Sequence, residues 1–216
     1  TWLTVELPDS VCHMPEYELF RRDRTSRQGG GVLCYVRSSM NPRLIVPQVK
    51  INEEFEVLWV VIRPRILPRP ISVVIVAVLY CPPWYDSQTR KGLRNYLVAS
   101  IDELTKRYNH PGFLITGDFN SLETDFFSRQ LNFKQKVKVA TRCSRTLDKI
   151  FTNMHDSYDD ASVLPPLGKS DHNSVVLQPA NTASEPIGDR TVYHRNLSKS
   201  VYDNIARELM AFNWST

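Results

Sequence analysis

Phe113-Leu114-Ile115-Thr116-Gly117-Asp118-Phe119-Asn120-Ser121 is the stretch on which the reading of the fold turns. Its apolar opening, Phe113 to Ile115, reads as a short buried strand. Gly117 closes it, a residue that tolerates backbone angles others cannot. Asp118 and Asn120 follow, with Phe119 between them. In an extended segment residues two apart point the same way, so both polar side chains are expected to enter one pocket at the strand's end. A carboxylate beside an amide suits a hard cation, or an attacking water that must be oriented. Gly, Asp and Asn are also ordinary turn residues, so this stretch alone leaves a solvated turn open.

Two further clusters add weight. Ser170-Asp171-His172-Asn173 precedes Ser174-Val175-Val176-Leu177, a second buried strand, and sets an acceptor, a donor and a proton carrier side by side. Thr146-Leu147-Asp148-Lys149-Ile150-Phe151 holds Asp148 as a lone carboxylate in an apolar-alternating run. A buried Asp is costly unless a cation or hydrogen-bond donor meets it, and a histidine would serve.

The rest of the chain reads as short strands around one long helix. Thr1 to Phe20 is expected to be irregular, broken by Pro8 and Pro15. Arg21, Arg22, Arg24 and Arg27 read as a basic cluster, most simply a solvated loop, before the glycines Gly29 to Gly31. Strands are expected over Gly31 to Arg37, Glu56 to Ile62 and Ile71 to Tyr80, the last apolar on both faces as in the middle of a sheet. Asp86 or Ser87 caps a helix running to about Arg107, with Leu93, Leu97, Ile101, Leu104 and Tyr108 on one stripe. Asn109-His110-Pro111-Gly112 stops it. Residues 122 to 134 read as a short helix and loop, Lys134 to Val139 as a basic strand, and Ala161 to Leu164 as a weak one. After Pro179 the composition turns polar, a linker followed by a helix from Ser198 to Phe212.

The totals suit a soluble globular chain: 216 residues, 42% hydrophobic, 23% charged. They allow one domain with a sizeable core. No run of about eighteen apolar residues argues for a membrane span. Cys12, Cys34, Cys81 and Cys143 have no paired spacing, which argues against zinc or a disulfide framework. A net charge of +4 is compatible with nucleic acid without requiring it.

In their order, these motifs resemble the endonuclease/exonuclease/phosphatase superfamily, in the apurinic-endonuclease-like branch carried by non-LTR (LINE-type) retrotransposons. Beyond G-D-F-N, T-L-D-K-I-F and S-D-H-N, the family's E-T-W-L is similar to Thr1-Trp2-Leu3. Its R-G-G-G-V is similar to Arg27 to Val32, and its Y-x-P-P to Tyr80-Cys81-Pro82-Pro83. The resemblance covers roughly the first 180 residues.

That resemblance implies an α/β fold, a four-layered α/β sandwich of two packed mixed sheets, with the first strand missing. It divides the chain into a nuclease domain over 1–179 and a linker and helix over 180–216. The latter leads toward a reverse transcriptase domain expected in the parent polyprotein. It implies a DNA endonuclease dependent on Mg2+ (or Mn2+), intracellular, acting in the nucleus and without a membrane partner. Asp118 orients and deprotonates water, Asn120 positions it, His172 meets a phosphate oxygen and is held by Asp148. Asp171, with Asp118, holds the metal, while Tyr80 contacts the phosphate or leaving group. For Tyr80 a core aromatic at a strand end stays open. Arg142, Arg145 and Lys169 are candidates for DNA phosphates. The family's metal-binding Glu stands just before T-W-L, so weak metal binding is expected of a chain that begins at Thr1. A non-catalytic binding module and a phosphatase of the same superfamily remain alternatives.

Overall fold

The structure, a computed structural model, describes residue 3, residues 6–24 and 29–180, and positions 200, 203, 206, 207 and 210. Among these the elements run β1 (Tyr17–Arg22), β2 (Val32–Arg37), β3 (Arg43–Ile45), β4 (Glu56–Ile62), β5 (Val73–Tyr80), α1 (Ser87–Arg107), β6 (Pro111–Asp118), α2 (Asp125–Arg129), β7 (Lys134–Gln135), β8 (Asp148–Thr152), β9 (Ser162–Pro166) and β10 (Asn173–Val176). Two units divide the chain, Thr1–Asn181 and Thr182–Thr216. In the second, Ser200, Asp203, Ala206, Arg207 and Met210 are helical, and the rest of the linker and helix read from the sequence lies outside the described residues. All twelve elements named above belong to the first unit.

One six-stranded sheet, ordered β3-β4-β5-β6-β8-β7, forms the centre of that unit. Only β5 and β6 are parallel, joined over the sheet by α1, so the sheet is mixed. Period-two alternation assigns its faces. Val57, Trp59, Val61, Val73, Ile75, Ala77, Leu79, Phe113, Ile115 and Phe151 face α1 and form the larger core with Leu93, Leu97, Ile101 and Leu104. Those last four sit at helical spacing and are almost wholly buried. Fully burying one such side chain contributes about 1.5–3 kcal/mol, so this stripe holds the helix more than propensity does. Asp86 caps the helix, its carboxylate accepting from the Thr89 N–H at 2.6 Å. Tyr108 has left helical geometry, three residues before Pro111.

The opposite face is covered by two antiparallel ladders, β1-β2 and β9-β10. Val32 and Val36 pack with Leu58, Val60, Ile62 and Val74. Val175 packs against Val137, Ile150 and Ala161. Helices on one side of a mixed sheet and strands on the other make the expected α/β sandwich.

Three local expectations are corrected. Residues 17 to 22 are not irregular: β1 begins two residues past Pro15 and pairs with β2 from Tyr17↔Arg37 to Arg22↔Val32. The strand read over Lys134 to Val139 is paired in the large sheet at Lys134 and Gln135, with one further hydrogen bond from the Lys136 N–H to the Ile150 carbonyl at 2.8 Å. From there the chain changes layers, because Val137 bridges Ala161 and the Lys136 carbonyl accepts from the Ala161 N–H. Of the basic cluster, Arg27 lies outside the described residues, and the others do not form a solvated loop. Arg21 and Arg22 belong to β1, and Arg24 is buried.

Candidate active site

Four polar side chains stand in one row across the large sheet. Glu56 pairs with Tyr80, Tyr80 with Asp118, and Asp118 with Asp148, each directly opposite its neighbour. They share the face away from α1, at the carboxyl ends of the parallel pair β5 and β6, where open α/β sheets generally place their ligands. The row exists because each strand departs there from its apolar pattern.

Gly117 makes the β6 end possible. Its φ is +144°, and a Cβ there would lie 1.8 Å from the Leu79 carbonyl oxygen. Phe119 is wholly buried on the α1 side, its ring 5.5 Å from Phe151 and 6.1 Å from Phe127. That anchor fixes Asp118 and Asn120 on either side of it. They meet differently from the extended arrangement expected. Asn120 has φ 41°, a left-handed turn that folds its amide back. Its backbone N–H donates to Asp118 Oδ1 and its Nδ2 to Asp118 Oδ2 and to the Cys81 carbonyl, each at 3.0 Å.

Asp148 is held from behind by Thr141, whose buried hydroxyl oxygen accepts from the N–H of Leu147 at 3.1 Å and of Asp148 at 3.0 Å. The Thr141 carbonyl accepts from the Asn173 N–H at 2.8 Å, tying this strand to the His172 loop. His172 Nδ1 lies 2.8 Å from Asp148 Oδ2, the histidine partner the lone carboxylate required. A carboxylate at Nδ1 favours the tautomer with its proton there, which leaves Nε2 for other work.

Electrostatics sort the row. Burial raises the Asp118 carboxyl pKa and the Asp148 charge adds to this, against hydrogen bonds from Asn120 and the nearness of His172. The Tyr80 hydroxyl is also raised, by burial first and then by Asp118, so it stays protonated and able to donate. A cavity of about 180 Å³ is lined by Asp118, Asp148, Asn173 and Val175.

Tyr80, Asp118, Asn120, Asp148 and His172, read from separate motifs, therefore come together. The exposed Asp171 carboxylate pairs instead with Arg142 Nη2 at 2.5 Å. Arg145 bridges to Arg142 in the same turn, and Lys169 is exposed in the β9–β10 loop. Among the described residues no three His, Cys, Asp or Glu side chains converge as a ready-made metal cage. Sequence reasoning missed Thr141, Arg24 and Glu56. For Glu56 the signal was present, since it is a lone carboxylate opening an apolar run, as Asp148 is. Glu56 is 5% exposed; its Oε1 accepts from Arg24 Nε at 2.8 Å and its Oε2 from the Gly31 N–H.

No family model matches the chain, and no curated protein matches it by sequence. Solved structures match in shape. The 3′ phosphatase NExo from Neisseria, bound to a product DNA hairpin, has TM-score 0.55 and 14% identity over 81% of this chain and 83% of that one. The human Nocturnin catalytic domain, with a bound sulfate anion, has 0.53 and 14% over 79% and 75%. An endonuclease/exonuclease/phosphatase family protein from Bacteroides thetaiotaomicron has 0.50 and 12% over 76% and 75%. The fold is that of the endonuclease/exonuclease/phosphatase family. At such identities the likeness is one of fold.

Proposed function

We propose that this protein hydrolyses phosphodiesters in DNA as a metal-dependent endonuclease of the non-LTR retrotransposon kind. The observation that carries this reading is the joined set of Asp118 with Asn120 and Asp148 with His172, beside Tyr80. Phosphodiester cleavage needs an oriented water, relief of the charge building on phosphate, and help for the leaving oxygen. Asp118 takes the proton from water at its carboxylate, and its raised pKa brings a carboxyl closer to neutral working pH. Asn120 holds that carboxylate in one orientation. His172 serves as the imidazolium, its Nδ1–H on Asp148 and its Nε2–H donated to a phosphate oxygen. Tyr80 donates its hydroxyl proton toward the phosphate or leaving oxygen.

The Asp118 carboxylate, faced by Asp148 across the sheet, suits a hard cation, and Mg2+ is commonly held by one or two carboxylates with water and substrate phosphate completing the shell. Asp118 would hold it, with Asp171 as a second ligand once released from Arg142. Bound there, Mg2+ or Mn2+ supplies charge neutralisation at the phosphate and a more acidic water. Arg142, Arg145 and Lys169 are assigned to DNA phosphates. Action in the nucleus, and a reverse transcriptase domain in the parent polyprotein, belong to the same reading.

A second reading, a phosphatase, is favoured by the fold shared with the Neisseria 3′ phosphatase. One experiment separates them: the chain and its Asp118→Ala variant are given supercoiled plasmid and a 3′-phosphorylated oligonucleotide, with Mg2+ or with chelator. Metal-dependent nicking that Asp118→Ala loses by at least about 100-fold, the low end for a general base, supports the endonuclease. Phosphate release without nicking overturns it for the phosphatase. Binding of plasmid with neither reaction overturns it for a non-catalytic nucleic-acid-binding module.

A further inference from the structure

A buried ion pair stands at one end of the polar row, and the hydrolytic chemistry leaves it unused. Glu56 lies directly across the sheet from Tyr80, on the same face. Its Oε1 accepts from Arg24 Nε at 2.8 Å and also from Arg24 Nη2, while its Oε2 accepts from the Gly31 N–H. Glu56 thereby aims the guanidinium at the aromatic side chain beside it. Arg24 Cζ lies 5.4 Å from the centre of the Tyr80 ring and 5.0 Å from that of Trp84. Those distances are within cation–π range, and such contacts strengthen where water is excluded. The turn before β2 is shaped around the guanidinium. Gly30 has φ +103°, and a Cβ there would fall 2.2 Å from Arg24 Cζ.

Stability is a poor explanation for this arrangement. Both side chains are 6% exposed, so each charge has been stripped of water. A buried ion pair often contributes no more than apolar side chains of similar volume would. An apolar filler could close the same space, but it could not present a cation to Tyr80. Arg24, committed to Glu56, is not itself placed to take a phosphate, unlike the exposed Arg142. What it reaches is the phenol. Burial raises the Tyr80 hydroxyl pKa, Asp118 adds to the rise, and the Arg24 charge opposes it. Tyr80 is thus held against a fixed cation, with Asp118 opposite it on β6.

We infer that Arg24 is a positioning residue for phosphodiester cleavage. Held by Glu56 and the glycine turn, its guanidinium fixes the Tyr80 ring so that the hydroxyl meets the phosphate or leaving oxygen. The inference rests on the hydrolytic reading above and adds to it a charged support behind Tyr80. A phenol at a strand end can swing about two side-chain torsions, and a displacement of about 1 Å can cost roughly 100-fold in rate. Such support acts on kcat, because it improves the reacting geometry and leaves substrate binding alone.

The test measures kcat and KM for Mg2+-dependent nicking of supercoiled plasmid by the full chain and by its variants. Arg24→Met with Glu56→Met removes both charges together, so neither is stranded in the interior. This double variant should lose roughly 10- to 100-fold in kcat, with KM within about 2-fold of the unmodified chain. Tyr80→Phe should lose kcat as well, and combining it with the double variant should cost nothing more, since the support acts only through the hydroxyl. Arg24→Lys keeps the charge without the planar guanidinium, so it should show a smaller loss that Tyr80→Phe likewise absorbs. Thermal melting of each variant reports folding, and Arg24→Lys decides the matter if the double variant does not fold. An unchanged kcat in a folded variant, or a loss confined to KM, overturns the inference while the endonuclease reading stands. So does a loss that persists undiminished beside Tyr80→Phe, or a Tyr80→Phe chain as active as the unmodified one. An unmodified chain that does not nick takes down both.

Discussion

Asp118 carries the most chemistry and pays for it in solvation. Burial is the leading cause of its raised pKa, followed on that side by the Asp148 charge. A carboxyl whose folded pKa exceeds its unfolded value contributes its stability while protonated, below the unfolded range. That contribution is lost as pH rises through the folded pKa. Asp118→Asn cannot ionise, so its stability relative to the native chain should improve as pH rises from the ordinary carboxyl range through the raised folded pKa, and then level off. The loss of one hydrogen bond from Asn120 is a constant offset that does not change the slope. Urea midpoints measured at several pH values check this, and a difference that stays flat would show that Asp118 is not electrostatically strained. Phosphodiester cleavage should move the other way along the same axis, falling as pH drops through the raised pKa and the base becomes protonated. At this scale the sequence was informative wherever a polar residue broke an apolar pattern, as at Asp118 and Asp148. It was silent on Thr141, because a threonine accepting two backbone N–H groups looks in sequence like any other threonine.

Among the elements, the turn from β6 toward α2 depends on aromatic packing more than on its own turn residues. Phe127 lies 4.3 Å from Phe151 and 4.2 Å from Phe126, ring centroid to centroid, and is fully buried. It backs Phe119, the residue between Asp118 and Asn120. Phe127→Ala should cost about 3–5 kcal/mol, read as a shift in the urea midpoint. It should also weaken cleavage in what remains folded, since Phe119 can then shift and carry both site residues with it. Unchanged cleavage in a destabilised variant would separate the core from the site. The elements themselves were largely legible. Helix α1 shows its apolar stripe along its length and its stop at Pro111, and β4 and β5 are continuous apolar runs. β1 was not legible: its six residues alternate weakly, and pairing with β2 brings them into a strand.

For the molecule as a whole, the decisive contact joins the region between β1 and β2 to the large sheet. Arg24 and Glu56 are 32 residues apart, each with a side chain 6% exposed. Glu56→Gln should strand a buried guanidinium and cost about 3–5 kcal/mol. The double variant Arg24→Met with Glu56→Met should recover most of that loss, because neither charge then remains to be desolvated. Denaturation of the two single variants and the double one measures the coupling, and additive losses would mean the pair is not a unit. By itself the sequence determined the fold class, the main strands and helix, and the residues Tyr80, Asp118, Asn120, Asp148 and His172. The strands and helix follow from apolar periodicity and Asp118 and Asp148 from a polar residue interrupting it, while the fold class, Tyr80 and the roles of Asn120 and His172 rest on the resemblance of the ordered motifs to a known family. Only the tertiary structure decided that Glu56 completes the row, that Arg24 is buried and backs Trp84, and that Asp171 pairs with Arg142. Those depend on strand register and on which layers meet, and a charge looks the same in sequence whether it faces water or its partner across a sheet.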